Sequence, residues 1–108
     1  MLPLTLTTTD ASGGATTSSV YVVNRYPTSG FAIGFAVKVS GTANYTVQHT
    51  FDDIAGGVTP ASAVWFDHSS IAAQTTNKDG NYAFPCAAIR LKQNSGNGSC
   101  TMIIIQSD

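Results

Sequence analysis

The sequence predicts an all-β fold: a two-sheet β-sandwich of about eight strands with jelly-roll or Greek-key topology, a closed barrel being the lesser alternative. Three observations point there. Glutamate is absent and leucine occurs four times in 108 residues, whereas the β-branched Thr, Val and Ile number 29. Surface-helix formers are therefore scarce, and residues that suit a pleated, half-buried surface abound. Clusters of Gly, Pro, Asn, Asp and Ser recur at short intervals and leave strand-length segments between them. No segment carries a long amphipathic helical period, and no repeat of solenoid length recurs. The length suits one domain over 1–108, with 1–14 as a candidate N-terminal arm.

In chain order the strands are expected at 2–8, 17–24, 31–40, 44–51, 63–67, 71–75, 81–92 and 99–106. The first, rich in Thr and followed by Gly13 and Gly14, reads either as an edge strand or as an arm that adds to a neighbour's sheet. Nothing in its opening residues resembles a cleaved leader, because no Lys or Arg precedes the short apolar run. In 31–40 one face carries Ile33, Phe35, Val37 and Val39; in 44–51 one face carries Tyr45, Val47, His49 and Phe51. Bringing these rows side by side in a hairpin requires an odd loop, which Ser40, Gly41 and Thr42 supply, Gly41 taking a positive φ. Val37 then opposes Tyr45, and Phe35 opposes Val47.

Asn77 to Gly80 reads as a turn, and Pro85 as a bend in the seventh strand or its true beginning. The same parity rule pairs Ile89 and Leu91 with Thr101, Ile103 and Ile105 through a loop centred on Asn97. Met102 and Ile104 occupy the other face of the last strand, which makes it central in its sheet or covered by a neighbouring subunit. That register separates Cys86 from Cys100 by roughly 27 Å at strand rise, so two free thiols are expected and the redox compartment leans reducing. The expected core is Ile33, Phe35, Val37, Tyr45, Val47, Phe51, Ile89, Leu91, Ile103 and Ile105.

Composition narrows the function. The net charge is −1 and charged residues are 10%, so there is no basic excess for phosphates and nucleic acid is not an expected partner. The longest uninterrupted apolar run, Met102 to Ile105, is far below a spanning helix, so no membrane role is expected. So little charge gives the surface little resistance to association, which favours a structural protein embedded in an assembly over a free enzyme.

The chemistry-bearing residues support that exclusion. His49 with Asp52 and Asp53, joined by Asp67 and His68, could in principle bind a metal or exchange protons, but the spacing follows no ligand pattern. A histidine on an apolar strand face reads as a packed, hydrogen-bonded residue. Asp52 to Gly57 reads as a turn, because a chain without glutamate lacks the bidentate ligand of the usual helical calcium loop. No Gly-x-Ser-x-Gly elbow occurs. No catalytic residue, metal ligand or cofactor is expected. Trp65, Phe66, Tyr26 and Tyr82 border turns, where aromatics either stack on sugars, anchor an interface or pack the ends of a sandwich. The candidate interface is Leu2, Leu4, Tyr26, Trp65, Phe66 and Tyr82.

Several stretches carry a resemblance: Tyr45-Thr46-Val47-Gln48-His49-Thr50-Phe51-Asp52-Asp53, Trp65-Phe66-Asp67-His68, Gly80-Asn81-Tyr82-Ala83-Phe84-Pro85, Ala88-Ile89-Arg90-Leu91, and Gly96-Asn97-Gly98-Ser99 before an Ile-rich strand. Spanning Phe31 to Gln106, they resemble a group of small virion proteins of tailed bacteriophages, some of them similar to capsid cement or decoration proteins. The resemblance implies a dimeric or trimeric β protein on the capsid exterior, made in the host cytoplasm. Its partner would be the major capsid protein, whose neighbouring subunits it would clamp against the pressure of packaged DNA. The resemblance supplies no functional residues. The alternative is a receptor- or glycan-binding module of a tail fibre or baseplate, with Trp65, Tyr26 and Tyr82 as stacking platforms.

Overall fold

Nine strands and no helix make up the described residues, 3–9, 14–24 and 30–107 of a computed structural model. They are β1 (Leu4–Thr9), β2 (Thr16–Thr17), β3 (Tyr21–Val22), β4 (Ile33–Ser40), β5 (Asn44–Thr50), β6 (Trp65–Asp67), β7 (Lys78–Tyr82), β8 (Ala88–Ser95) and β9 (Ser99–Gln106). One sheet has the order β1-β9-β4-β7; the other has the order β2-β8-β5-β6, with β3 also pairing β8. Every pairing is antiparallel. The two sheets pack face to face as a β-sandwich. No helix among the described residues is long and apolar enough to cross a membrane.

The core lies between the sheets. Leu6, Ile33, Phe35, Val37, Tyr82, Cys100, Met102 and Ile104 come from one sheet, and Tyr45, Val47, Ile89 and Leu91 from the other, all buried. Two buried glutamines tie the layers together. Gln93 accepts a hydrogen bond from Thr8 Oγ1 across the interior at 2.9 Å and donates to the carbonyls of Gly96 and Gly98. Gln106 accepts from the Tyr21 hydroxyl and the Asn24 amide and donates to the Asn24 carbonyl. Buried amides survive here because both ends of each are satisfied.

Both expected hairpins are corrected. Val37 pairs with Met102 and Lys78, not Tyr45, and Leu91 pairs with Val47, not Ile103. The loops after β4 and after β8 carry the chain from one sheet to the other, so the apolar rows meet across the sandwich interior instead of side by side. The two loops lie against each other, Gly98 N donating to Thr42 O at 2.8 Å. Glycine is required at that crossing: a Cβ on Gly98 would stand 2.4 Å from Ser40 O. Gly41 does adopt a positive φ of 77°.

Several expected core positions move as well. Ile103 is half-buried and Ile105 is 49% exposed, because the inward row of β9 is Cys100, Met102 and Ile104. A one-residue change of phase turns every side chain to the other face. Phe51 lies one residue beyond the β5 ladder and is 58% exposed. β9 does occupy a central place, between β1 and β4.

Other boundaries shift. The segment expected at 71–75 contributes only a bridge from Gln74 to Tyr45, and 17–24 is split between β2 and β3. Lys78 to Gly80 belongs to β7 and not to a turn, and the strand expected over 81–92 is divided between the two sheets, with Pro85 in the gap. β1 is an edge strand. Both cysteines are free and buried; since β8 and β9 are not neighbours, it is their placement in different parts of the sandwich, not the expected register, that separates them.

Candidate functional site

Between the edge strands β6 and β7 the sandwich has an open side, and aromatic rings fill it. His49 of β5 stands directly across the ladder from Phe66 of β6 and across the interior from Tyr82 of β7. Its Nδ1 lies 2.9 Å from the Tyr82 hydroxyl. Tyr82 itself is only 1% exposed, with Phe35, His49, His68 and Phe84 around it at centroid distances of 4.9 to 5.7 Å. Burial pushes the Tyr82 hydroxyl well above the ordinary tyrosine range, with Cys86 and Asp67 adding to it. Burial also lowers His49, His68 lowers it further, and Asp67 opposes both, so the imidazole is held neutral. His68 is committed at both nitrogens: Nδ1 accepts from Ser70 N at 3.1 Å, which leaves Nε2–H to donate to Asn81 O at 2.9 Å.

Outside this buried layer lie Phe51, Phe66 and Phe84, respectively 58%, 50% and 47% exposed. All three rings contact His49, at 5.6, 6.1 and 5.6 Å, and Phe51 lies 6.1 Å from Phe66 and 6.4 Å from Phe84. They form one continuous aromatic surface over a buried imidazole. Beside it opens a cleft of about 500 Å³ lined by His49, Asp67, His68, Ser70, Tyr82 and Phe84, among others.

The residues singled out from the sequence are distributed unevenly over this site. His49, Asp67 and His68 do converge on the cleft. Asp52 and Asp53 do not: Asp52 Oδ2 accepts from Val64 N, and Asp53 Oδ1 accepts from Gly56 N, closing the 52–58 turn. Among the described residues no group of three or more His, Cys, Asp or Glu side chains is arranged to hold a metal ion. Phe66 is exposed and belongs to the aromatic surface, whereas Tyr82, expected at an interface, is core because its position in β7 opposes the inward Ile33.

Trp65 is half-buried on the other face of its sheet. The Arg90 guanidinium covers its ring at 4.1 Å, and its Nε1 donates to Pro60 O at 3.0 Å. Arg90 in turn donates to Gln48, and Gln48 to Asp67. Leu4 is exposed on β1, and Leu2 and Tyr26 lie outside the described residues. Sequence reasoning missed Phe84 altogether. Its signal was Pro85, which stops the ladder and leaves the preceding ring off the sheet.

Chemically the arrangement offers an apolar, polarizable surface with a polar rim, suited to burying a partner. No family model, no curated protein and no solved structure matches the chain.

Proposed function

We propose that this protein is a structural component of a tailed-bacteriophage virion that binds the outer surface of the capsid and cements neighbouring major capsid subunits. The observation that carries the reading is the exposed triad Phe51, Phe66 and Phe84 packed around His49. Contiguous aromatic surface of this kind on a chain with 10% charged residues is stable in water chiefly as the face of an interface. Covering the exposed half of each ring removes on the order of 100 Å² from water, worth about 2 kcal/mol per ring. Repeated over many copies on one shell, contacts of that size raise the barrier to separating capsomers. The resemblance of residues 31–106 to small virion proteins supports the same reading. In the test, purified protein is mixed with undecorated capsids, which are then heated or treated with chelator. Saturable binding and better survival are expected; no binding at saturating concentration overturns the proposal.

A second reading is favoured by the cleft. A cleft lined by the exposed ring of Phe84 together with Asp67 and Ser70 has the mixed character of a site that stacks a sugar ring and bonds its hydroxyls. This would be a receptor- or glycan-binding module of a tail fibre or baseplate. Binding of host polysaccharide that Phe84→Ala abolishes with the fold intact would favour it over the cement reading.

A further inference from the structure

Gly96, Asn97 and Gly98 form the loop between β8 and β9, and Asn97 is the only asparagine in the chain that is followed by glycine. In such a pair no side chain stands beside the glycine nitrogen to hinder its attack on the preceding side-chain amide. We propose that Asn97 is a modification site: when the crossing between the loops after β4 and β8 opens, the Gly98 nitrogen converts the Asn97 amide to an aspartyl or isoaspartyl linkage, and the isoaspartyl form keeps the crossing from closing again. The step needs water as its only co-reactant. The Gly98 nitrogen gives up its proton and bonds to Asn97 Cγ, the Cγ–Nδ2 bond breaks, and the side-chain nitrogen leaves with that proton as ammonia. Water then opens the resulting five-membered succinimide at one of its two carbonyls. One opening leaves aspartate at 97 with a normal main chain; the other leaves isoaspartate, with the main chain rerouted through the side chain.

The closed fold withholds the nucleophile. Asn97 is exposed, but the Gly98 N–H is held by Thr42 O at 2.8 Å, and Gly98 lies so close to Ser40 O and the Thr42 main chain that even a Cβ has no room. The nitrogen can neither shed its proton nor turn toward Asn97 Cγ without leaving that place. On either side of Asn97, the Gly96 and Gly98 carbonyls both accept from Nε2 of the buried Gln93, at 2.9 and 3.1 Å, and Gln93 Oε1 accepts from Thr8 of β1. One side-chain nitrogen thus fixes the span across residue 97. Isoaspartate adds a main-chain carbon within that span, which parts the two carbonyls and strips partners from a buried amide that also ties down β1.

The chemistry belongs to the chain alone and does not depend on what the protein binds. In the test, wild-type protein is incubated at one mildly alkaline pH with and without denaturing urea. Conversion at Asn97 is followed by peptide mass spectrometry, with enzymatic methylation to score isoaspartate. Loop opening is fast beside this reaction, so the folded rate tracks the open population and should be at least about tenfold below the unfolded rate. Isoaspartyl chain purified from the urea sample and returned to native buffer should unfold at lower urea than wild type taken through the same cycle, or fail to refold where wild type recovers. Asn97→Asp, which carries the aspartyl product on a normal main chain, should keep the wild-type midpoint. Equal rates of conversion in the folded and unfolded protein overturn the proposal. So does an isoaspartyl chain that regains the wild-type midpoint, or an Asn97→Asp variant destabilised as much as the isoaspartyl chain.

Discussion

His49 sits where four aromatic rings and the Tyr82 hydroxyl replace its water, and burial lowers its proton affinity first, with His68 second. A histidine whose folded pKa lies below its ordinary 6.5 takes up a proton more readily in the unfolded chain. Its contribution to stability is therefore complete above 6.5 and is lost as pH falls from there toward the folded value. Urea midpoints should decline as pH falls below 6.5, and His49→Gln should flatten that decline. The thiols give a second check at this scale. Burial pushes Cys86 up to about 11 and raises Cys100, so neither should react with Ellman's reagent at neutral pH until denaturant is added, when two thiols per chain should appear. The packed role of His49 was legible in its place among Tyr45, Val47 and Phe51. The exposure of Phe51 was not, because alternation identifies a row without saying where its ladder stops.

At the scale of elements, the loops after β4 and β8 decide the architecture, and they pack backbone on backbone with Gly96 and Gly98 against Thr42 and Ser40. Gly98→Ala should lower unfolding free energy by about 2 kcal/mol or more, since the added methyl has only main-chain atoms to displace; urea denaturation measures it, with Gly30→Ala, whose Cβ would meet nothing within 4 Å, as the near-neutral control. The sandwich and most strand positions could be read from β-branched content and turn spacing. The pairing could not, because a hairpin and a crossing between sheets both bring apolar rows together; between β4 and β5 the inward rows have the same parity either way, whereas between β8 and β9 the crossing joins Ile89 and Leu91 to the even row of Met102 and Ile104. For β9 the run Ile103-Ile104-Ile105 offers both faces an aliphatic row, and the choice falls to Cys100 and Met102 against Thr101. Glycines concentrated in both loops, at Gly41, Gly96 and Gly98, were the sign of a close crossing.

For the whole molecule, the two sheets serve to hold an aromatic surface at one open side while leaving little charge anywhere to keep partners off. Phe66 gained its exposure from the position of β6 at a sheet edge, a fact of topology that local pattern does not contain, which is why the candidate site was only partly foreseen. This surface, and not the stacked Trp65 and Arg90 pair on the other face of the sheet, is expected to contact the proposed capsid partner. The most direct measurement is a binding titration of undecorated capsids with wild type and with Phe66→Ser, both checked for an unchanged fold. If the aromatic surface is the capsid-binding face, wild type binds saturably and the variant binds with an affinity lower by roughly thirtyfold, the equivalent of about 2 kcal/mol. Equal affinity of the two proteins, or no association of wild type with the capsid at all, would contradict it.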